Sequence, residues 1–434
     1  MILSNENQKS TKSPNHKESA VQTRYPKYKP SGVEWIGEIP EHWDLATVGR
    51  LNNLGRGRVI SALEIGVNGG DYPVYSSQTE NDGIMGYLNT YDFEGAYVTW
   101  TTDGANAGTV FYREGKFNCT NVCGTMRPKN WEQIDLKYLP YFLNLGTKFS
   151  VRLDINPKLM NNMMAKIPLV IPPKSEQTAI ANYLDDKTVQ IDSLIEKKRK
   201  LIELLKEERA AIINEAVTKG LNRDLPDLHD LLDSQKIQTS NHDNQVNPKN
   251  QGSDSFPGHW EVKKLKYVAK LKSGESITTD NIRGEEKYPV YGGNGLRGFA
   301  AEYTHDGDYI LIGRQGALCG NINYASGKFW ASEHAIVVTR FNEENIVWLG
   351  ELLKGMNLNQ YSILAAQPGL SVERIQNLLI PYPPLEEQKI IGNHIQTETK
   401  RIDSTVSKIE TEIKLLQEYR TALISEVVTG KIKV

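Results

Sequence analysis

Two stretches of the chain carry the same hydrophobic rhythm. Near the end, Ile395, Ile402, Ile409, Leu416 and Leu423 fall seven residues apart, and Thr399, Val406, Ile413, Arg420 and Val427 follow each by four. That alternation is the seam of a coiled coil. An earlier segment keeps the same register with Leu184, Ile191, Lys198, Leu205 and Ile212, accompanied by Thr188, Ile195, Ile202, Arg209 and Ala216. It has no Gly or Pro between 175 and 217, so nothing interrupts a helix. Both segments open on prolines followed by acidic residues, "IPPKSEQ" at 171–177 and "YPPLEEQ" at 382–388, and both close on a glycine, "TKG" at 218–220 and "TGK" at 429–431. The pattern predicts two helices of roughly 40 residues, on the order of 60 Å each. Their seams are expected to pack on each other, antiparallel, with the polar pairs Thr188/Thr399 and Arg209/Arg420 setting register at a cost in stability. Two helices each packing only on its own domain would be the plainer use of the same pattern.

The two segments are copies. At a shift of 211, residues 173–218 align with 384–429 without a gap, and Pro173, Glu176, Gln177, Ile180, Ile191, Asp192, Leu205, Glu207, Arg209, Ile213 and Val217 recur unchanged. The preceding regions repeat more weakly: "PEHW" (40–43) with "PGHW" (257–260), "YPVY" at 72–75 and 288–291, "YVTWTTDGANAG" (97–108) with "YILIGRQGALCG" (309–320). A repeat is the first thing to settle in a long chain. Here it gives two halves, each a variable region followed by a nearly constant helical arm.

In the variable regions, short runs such as "AYVTW", "GTVFY", "DYILIG" and "AIVVTRF" alternate with Gly, Asn and Asp turns, which predicts compact α+β domains. Their tips are polar. Ser76, Ser77, Gln78, Thr101, Thr102 and Asn106 in the first copy, and Asn294, Arg297, Arg314 and Gln315 in the second, have side chains able to read base edges by hydrogen bonding. The same residues also make ordinary β-turns. Thr102–Asp103 stands where Arg314–Gln315 stands in the other copy, beside a shared Gly-Ala, so the turn is kept while its tip differs.

Composition narrows the picture. Lys and Arg number 51 against 53 Asp and Glu, so the chain is not coated in positive charge, and any nucleic-acid surface must be local. Acid is concentrated in 222–255, which holds six Asp against three Lys/Arg among Asn, Ser and Gln and reads as a polar linker. Three Cys make no disulfide framework, no run approaches 18 apolar residues, and the N-terminal stretch is polar, so a cytoplasmic, membrane-free setting is expected. There is no GxxxxGK[ST] phosphate loop and no Asn-Pro-Pro-Tyr or Asp-Pro-Pro-Tyr. Cys119 and Cys123 align with Ala331 and Ala335, which favours buried thiols over a metal pair. No catalytic residue and no metal ligand is predicted.

The segment "YPKYKPSGVEWIGEIPEHW" (25–43), together with the doubled Pro-Pro-x-x-Glu-Gln arms behind two variable regions, resembles the specificity subunit of type I restriction–modification systems. The resemblance covers nearly everything from residue 25 onward. It implies a tail (1–24, read as disordered), a first target recognition domain (25–172), a first helical arm (173–221), the linker (222–255), a second target recognition domain (256–383) and a second arm (384–434). It implies that each domain reads one half of a split, asymmetric site in double-stranded DNA and that the paired helices set the spacing. It further implies two DNA methyltransferase subunits as partners, with restriction motor–nuclease subunits as a possible addition. S-adenosylmethionine, and ATP and Mg where a motor is present, would then be used by the partners, with no cofactor bound by this chain. A two-domain scaffold that binds proteins through the same loops is the alternative from a different class.

Overall fold

The computed structural model describes residues 24–151, 156–221, 256–316, 318–362 and 369–434; residues 1–23 of the tail and the whole linker lie outside them. The chain divides into two units, Met1–Lys197 with Glu412–Val434, and Lys198–Thr411. Each unit holds one variable region and a stretch of each long helix.

The first unit contains two four-stranded sheets. One runs in the order Asn52–Arg56, Cys123–Pro128, Tyr97–Thr101, Val110–Arg113, all antiparallel. The other runs Ile84–Leu88, Tyr72–Tyr75, Lys116–Cys119, Phe93–Glu94, with its central pair parallel. The second unit repeats this order and these senses, with Ala269–Ser273, Ala335–Arg340, Tyr309–Gly313 and Ile322–Ala325 in one sheet. Its other sheet holds Gly295–Ala300, Tyr288–Gly292, Lys328–Ala331 and His305–Asp306. The copies agree even in their irregularities. A β-bulge falls between Val74 and Tyr75 in one and between Val290 and Tyr291 in the other, so each bends the strand that leads into a polar loop. In each copy the strand before the arm pairs with one near the start of the domain, Pro168–Ile171 with Asp44–Thr47 and Leu379–Tyr382 with Glu261–Lys264, which ties the arm to its own domain.

The arms are single helices, Lys174–Lys219 and Leu385–Val428, each roughly 65–70 Å long. They pack on each other along the expected seam. In the first unit Ile180, Leu184, Ile191 and Ile195 share a core with Leu423, Val427 and Val428, where Trp43, Trp100, Tyr138 and Phe142 also pack. In the second, Ile213, Ala216 and Val217 share a core with Ile391 and Ile395, together with Trp348, Leu349 and Leu353. Ile202, Ile402 and Ile409 are also buried; Leu205, Ile212, Val406, Ile413 and Leu416 are half-buried, and Ile213 rather than Ile212 takes the fully buried place at the end of the first arm. Burying each such side chain contributes about 1.5–3 kcal/mol before entropy is counted.

The polar seam residues act in two ways. The threonines satisfy themselves: Thr188 Oγ1 donates to Leu184 O and Thr399 Oγ1 to Ile395 O, both at 2.7 Å, so neither bonds the opposite helix. The arginines do reach across. Arg420 Nε lies 2.9 Å from Asp192 Oδ1 and its Nη2 donates to Oδ2 at 3.1 Å, while Arg209 Nε lies 3.2 Å from Asp403 Oδ1. From the first bridge to the second, one residue number rises by seventeen as the other falls by seventeen, which is an antiparallel pairing in one register. The two bridges are copies of each other, since Asp403 and Arg420 are the repeats of Asp192 and Arg209. The aspartates are exposed and the arginines half-buried, and bridges this open to solvent select register more than they add stability.

The doubled phrase is a clamp at the start of each arm. Gln177 is fully buried: its Nε2 donates to Pro172 O (2.8 Å) and Gln133 O (2.9 Å), and its Oε1 accepts from Asp135 N (2.9 Å). Gln388 repeats this with Pro383 O (2.9 Å) and Asn345 N (3.1 Å). Glu176 accepts from Tyr25 OH (2.8 Å), Trp43 Nε1 (3.0 Å) and His42 Nε2 (2.8 Å), and Glu387 accepts from His259 Nε2 at 2.8 Å. Burial pushes the Glu176 carboxyl up, but the hydrogen bonds from His42, Tyr25 and Trp43 outweigh it and hold the group below the ordinary carboxylate range. A carboxylate depressed in the folded state adds stability above its unfolded pKa and loses it as pH falls through the folded value. Gln177→Ala is expected to cost about 1–3 kcal/mol, because it strands a buried N–H and two carbonyls. Glu176→Gln is expected to lose less, and to remove part of the acid sensitivity of unfolding. Denaturant titrations at neutral and acid pH check both.

Candidate nucleic-acid interface

At one end of its two sheets each unit gathers the same set of loops, held by the same backbone bonds. In the first unit Thr102 N donates to Val122 O (3.0 Å), Leu159 N to Thr102 O (2.9 Å) and Thr120 N to Tyr75 O (2.9 Å). In the second, Arg314 N donates to His334 O (2.8 Å), Leu370 N to Arg314 O (2.8 Å) and Ser332 N to Tyr291 O (2.9 Å). One glycine in each copy is fixed by this frame. A Cβ on Gly57 would stand 2.1 Å from Cys119 O, and one on Gly274 2.2 Å from Ala331 O, so only a residue without one lets these backbones meet.

On this common frame the side chains differ. The first copy presents the loop from Ser76 to Gly83, with Gln78, Thr79, Glu80, Asn81 and Asp82 exposed. Ser76 and Ser77 are half-buried; Ser76 Oγ accepts from Thr120 Oγ1 at 3.2 Å, and Gln78 Nε2 donates to Ile84 O. Asn106 is exposed, and its carbonyl accepts from Thr101 Oγ1 and Thr109 Oγ1. Thr101 and Thr102 correct an expectation. Both are buried, Thr102 fully, because Thr101 spends its hydroxyl closing the 101–109 turn and Thr102 is bonded to the 120–123 turn that links the two sheets. They build the tip and do not form its surface. The residues beside it are Asp103, 3.6 Å from Lys158 Nζ, and Arg56, whose Nε donates to Asn121 O.

In the second copy the structure brings Asn294, Arg314 and Gln315 together and adds three residues that sequence reasoning did not single out. Gln315 Oε1 accepts from His334 Nδ1 at 2.8 Å; His334 Nε2 lies 3.3 Å from Glu333; Asn321 Nδ2 donates to Asn294 Oδ1 at 3.0 Å. Arg297 is exposed on the adjoining strand, its stem running past Gly292. Glu333 and His334 occupy the place of Asn121 and Val122, so aligning the two copies at "TNVC" and "SEHA" would have pointed to them. A His–Gln–Asn–Arg cluster offers donors and acceptors at fixed positions, which suits reading hydrogen-bond patterns and supplies no nucleophile paired with a base.

Cys119 and Cys123 are buried in a cluster with Phe117. The Cys119 thiol is pushed up by its contact with Cys123 and by burial, which leaves it protonated and unreactive. Among the described residues no group of three His, Cys, Asp or Glu side chains is placed to hold a metal ion, and no helix is long and apolar enough to cross a membrane.

Fold and site together define a tandem recognition protein: one α+β reader, written twice, on a pair of antiparallel helices. A family model described as type I restriction modification DNA specificity domain matches residues 40–204 and again 257–415, and the chain belongs to that family. It is 42% identical over 164 residues to the EcoprrI specificity subunit of a type I restriction enzyme from Escherichia coli, covering 35% of this chain and 41% of that one. Over 154 residues it is 42% identical to the MpnII specificity subunit of a type I restriction enzyme from Mycoplasma pneumoniae, covering 35% of this chain and 46% of that one. The aligned segments therefore span less than half the length of these relatives. Among solved structures, the HsdS subunit from Thermoanaerobacter tengcongensis shares the fold with a TM-score of 0.56 at 13% identity, over 91% of this chain and 98% of that one. A chain from a structure described by the complex assembly and conformational transition of the type I R-M system gives 0.63 at 15% identity, over 91% and 99%.

Proposed function

We propose that this chain is the DNA-recognition subunit of a type I restriction–modification complex. Each domain reads one half of a bipartite, asymmetric site in double-stranded DNA, and the paired arms set the gap between the halves. The observation that carries this reading is the common frame with unlike tips: the same backbone bonds hold a long Ser76–Gly83 loop in one copy and an Arg314–Gln315–His334 cluster in the other. Two readers of different sequences need that combination, whereas a duplicated scaffold for a single repeated partner would keep its tips alike.

The chain works here without catalytic residues of its own. Methyl transfer belongs to two methyltransferase subunits using S-adenosylmethionine, and any cleavage to ATP- and Mg-dependent motor–nuclease subunits. Balanced charge supports dependence on partners, because phosphate contacts supply much of the affinity for DNA and this chain has no excess of cations to make them. Leu194, Leu201, Leu204, Leu415 and Tyr419 lie exposed on the arms outside the seam, apolar surface that a partner subunit can cover. The purified chain is expected to bind duplex DNA weakly and to gain tight, salt-sensitive, site-specific binding when the methyltransferase is added; gel-shift titration with and without that subunit tests this. Specific nanomolar binding by the chain alone would contradict it.

Reading is expected to be modular. Arg314→Ala with Gln315→Ala removes two tip side chains and releases His334 from its hydrogen bond. The second half of the site is expected to lose roughly 1–3 kcal/mol of discrimination per base contact removed, with the first half unchanged. Methylation mapping of the double variant checks it, and a joint change in both halves would contradict modularity.

A further inference from the structure

The loop that most distinguishes the two copies has its own anchor. Arg113 ends the strand Val110–Arg113, and only 4% of it is exposed. Its guanidinium lies 3.8 Å from the centroid of the Tyr75 ring and 4.3 Å from that of Phe111. Nη1 donates to Asp82 Oδ2 at 2.5 Å and Nη2 to the Asp82 backbone oxygen at 2.6 Å. One buried cation thus holds both the side chain and the main chain of a single loop residue. That residue sits in a run of three left-handed positions, Asn81 (φ 49°), Asp82 (φ 53°) and Gly83 (φ 79°), closed by Ser76 N donating to Gly83 O at 3.0 Å. Left-handed backbone is unfavourable for residues with a Cβ and persists where surrounding contacts impose it.

The sister domain shows what Arg113 is not needed for. There the equivalent strands, Tyr288–Gly292 and Gly295–Ala300, are joined by Gly293 and Asn294 alone. In the equivalent strand pair Tyr97 stands opposite Arg113 in the first copy, and Tyr309 stands opposite Ala325 in the second. The same fold is therefore built with alanine in place of arginine. The buried cation and the long loop occur together in one copy and are both missing from the other. Burying a guanidinium carries a desolvation cost that an apolar residue avoids, so its benefit lies in the conformation it selects.

We propose that Arg113 is a positioning residue for DNA specificity: through Asp82 it locks the Ser76–Gly83 loop in the shape that presents Gln78, Thr79 and Asn81 to the first half of the bipartite site. This rests on the DNA-reading function proposed above. Asp82, its side chain 64% exposed, is the handle that the cation grips. Arg113 itself touches no base.

The test uses the full chain with its methyltransferase, mapping methylated sites and titrating duplexes altered in one half at a time. Arg113→Met keeps the stem's packing and removes the fork. It is expected to lose roughly ten- to a hundredfold in discrimination at the first half and nothing at the second. Asp82→Asn leaves the fold intact, because Asn adopts the left-handed conformation as readily as Asp; it removes only the charge and is expected to lose several-fold at the same half. Arg113→Lys keeps a charge but cannot bond two oxygens as a fork, and should rescue only part of the loss. A purely structural role would lower both halves together through reduced stability. If Arg113→Met does not fold, Asp82→Asn decides. First-half discrimination within twofold of the unmodified chain in every variant that folds would overturn the proposal while leaving the two-reader function standing. Failure of the unmodified complex to methylate any split site would instead remove the function on which the proposal rests.

Discussion

A chain cut at residue 222 is expected to dimerise and, with the methyltransferase subunit proposed above as its partner, to methylate an inverted repeat of the first half-site. In the full chain the first core is completed by Leu423, Val427 and Val428 from the second arm. Their repeats 211 positions earlier are Ile212, Ala216 and Val217, which the truncated chain retains. A second copy can therefore supply what the deletion removes, and the approximate twofold becomes a true one. Seam residues Leu184, Ile191, Ile195, Ile202 and Leu205 are all present. Arg209, read from the sequence as a seam residue that sets register at a cost in stability, carries its own partner: Asp403, which it meets in the full chain, is the repeat of Asp192. Each copy would offer Asp192 to the other's Arg209. The dimer is still expected to be weaker than the natural pairing. Each seam meets Lys198 where the second arm has Ile409, and the contacts of Lys431 Nζ with Ile36 O and Glu38 O are lost. Methylome sequencing reads the outcome. A palindromic split site is the expected result; methylation of the original asymmetric site by this fragment would contradict the account, since the second reader is gone.

Inserting one heptad into each arm is expected to widen the unspecified gap by about three base pairs. Seven residues add roughly 10 Å of helix, and base pairs stack at ~3.4 Å. The insertions belong between the two cross-helix bridges, after Ile202 in the first arm and after Ile409 in the second. Asp192–Arg420 and Arg209–Asp403 then both survive and the seam keeps its face. The two half-sequences should stay the same. A heptad in only one arm shifts the register, separates Arg209 from Asp403, and should reduce stability and activity together. An unchanged gap in a fully active double insertion would show that the arms do not set it.

The arms were legible in the sequence because their signal is local and repeated: heptad spacing, proline-led starts and glycine ends all lie within one segment, and the second copy confirms each. The seam's cross-helix partners were not. Asp192 and Asp403 look like ordinary surface acids until the opposite helix is in place, since their bridges join residues 228 and 194 positions apart. Asn294, Arg314 and Gln315 stand out in the sequence because tips of turns are polar, and Arg314–Gln315 also because the other copy has Thr102–Asp103 at that place. Thr101 and Thr102 read as surface residues for a related reason: a threonine that closes a turn reads the same as one that faces solvent, and its burial depends on a turn about twenty residues away. Arg113 was invisible. A lone arginine in a strand reads as a solvated edge, and only the fold carries its guanidinium between Tyr75 and Phe111 to Asp82.

The central claim is that one chain carries two independent readers of one split DNA site. Sequencing methylated bases across the genome of cells that contain the methyltransferase, with and without this chain, tests it most directly. The account predicts a motif that appears only with the chain, made of two unlike specified blocks separated by a gap of constant length. A methylation pattern indifferent to the chain, or a motif with a single uninterrupted block, would contradict it.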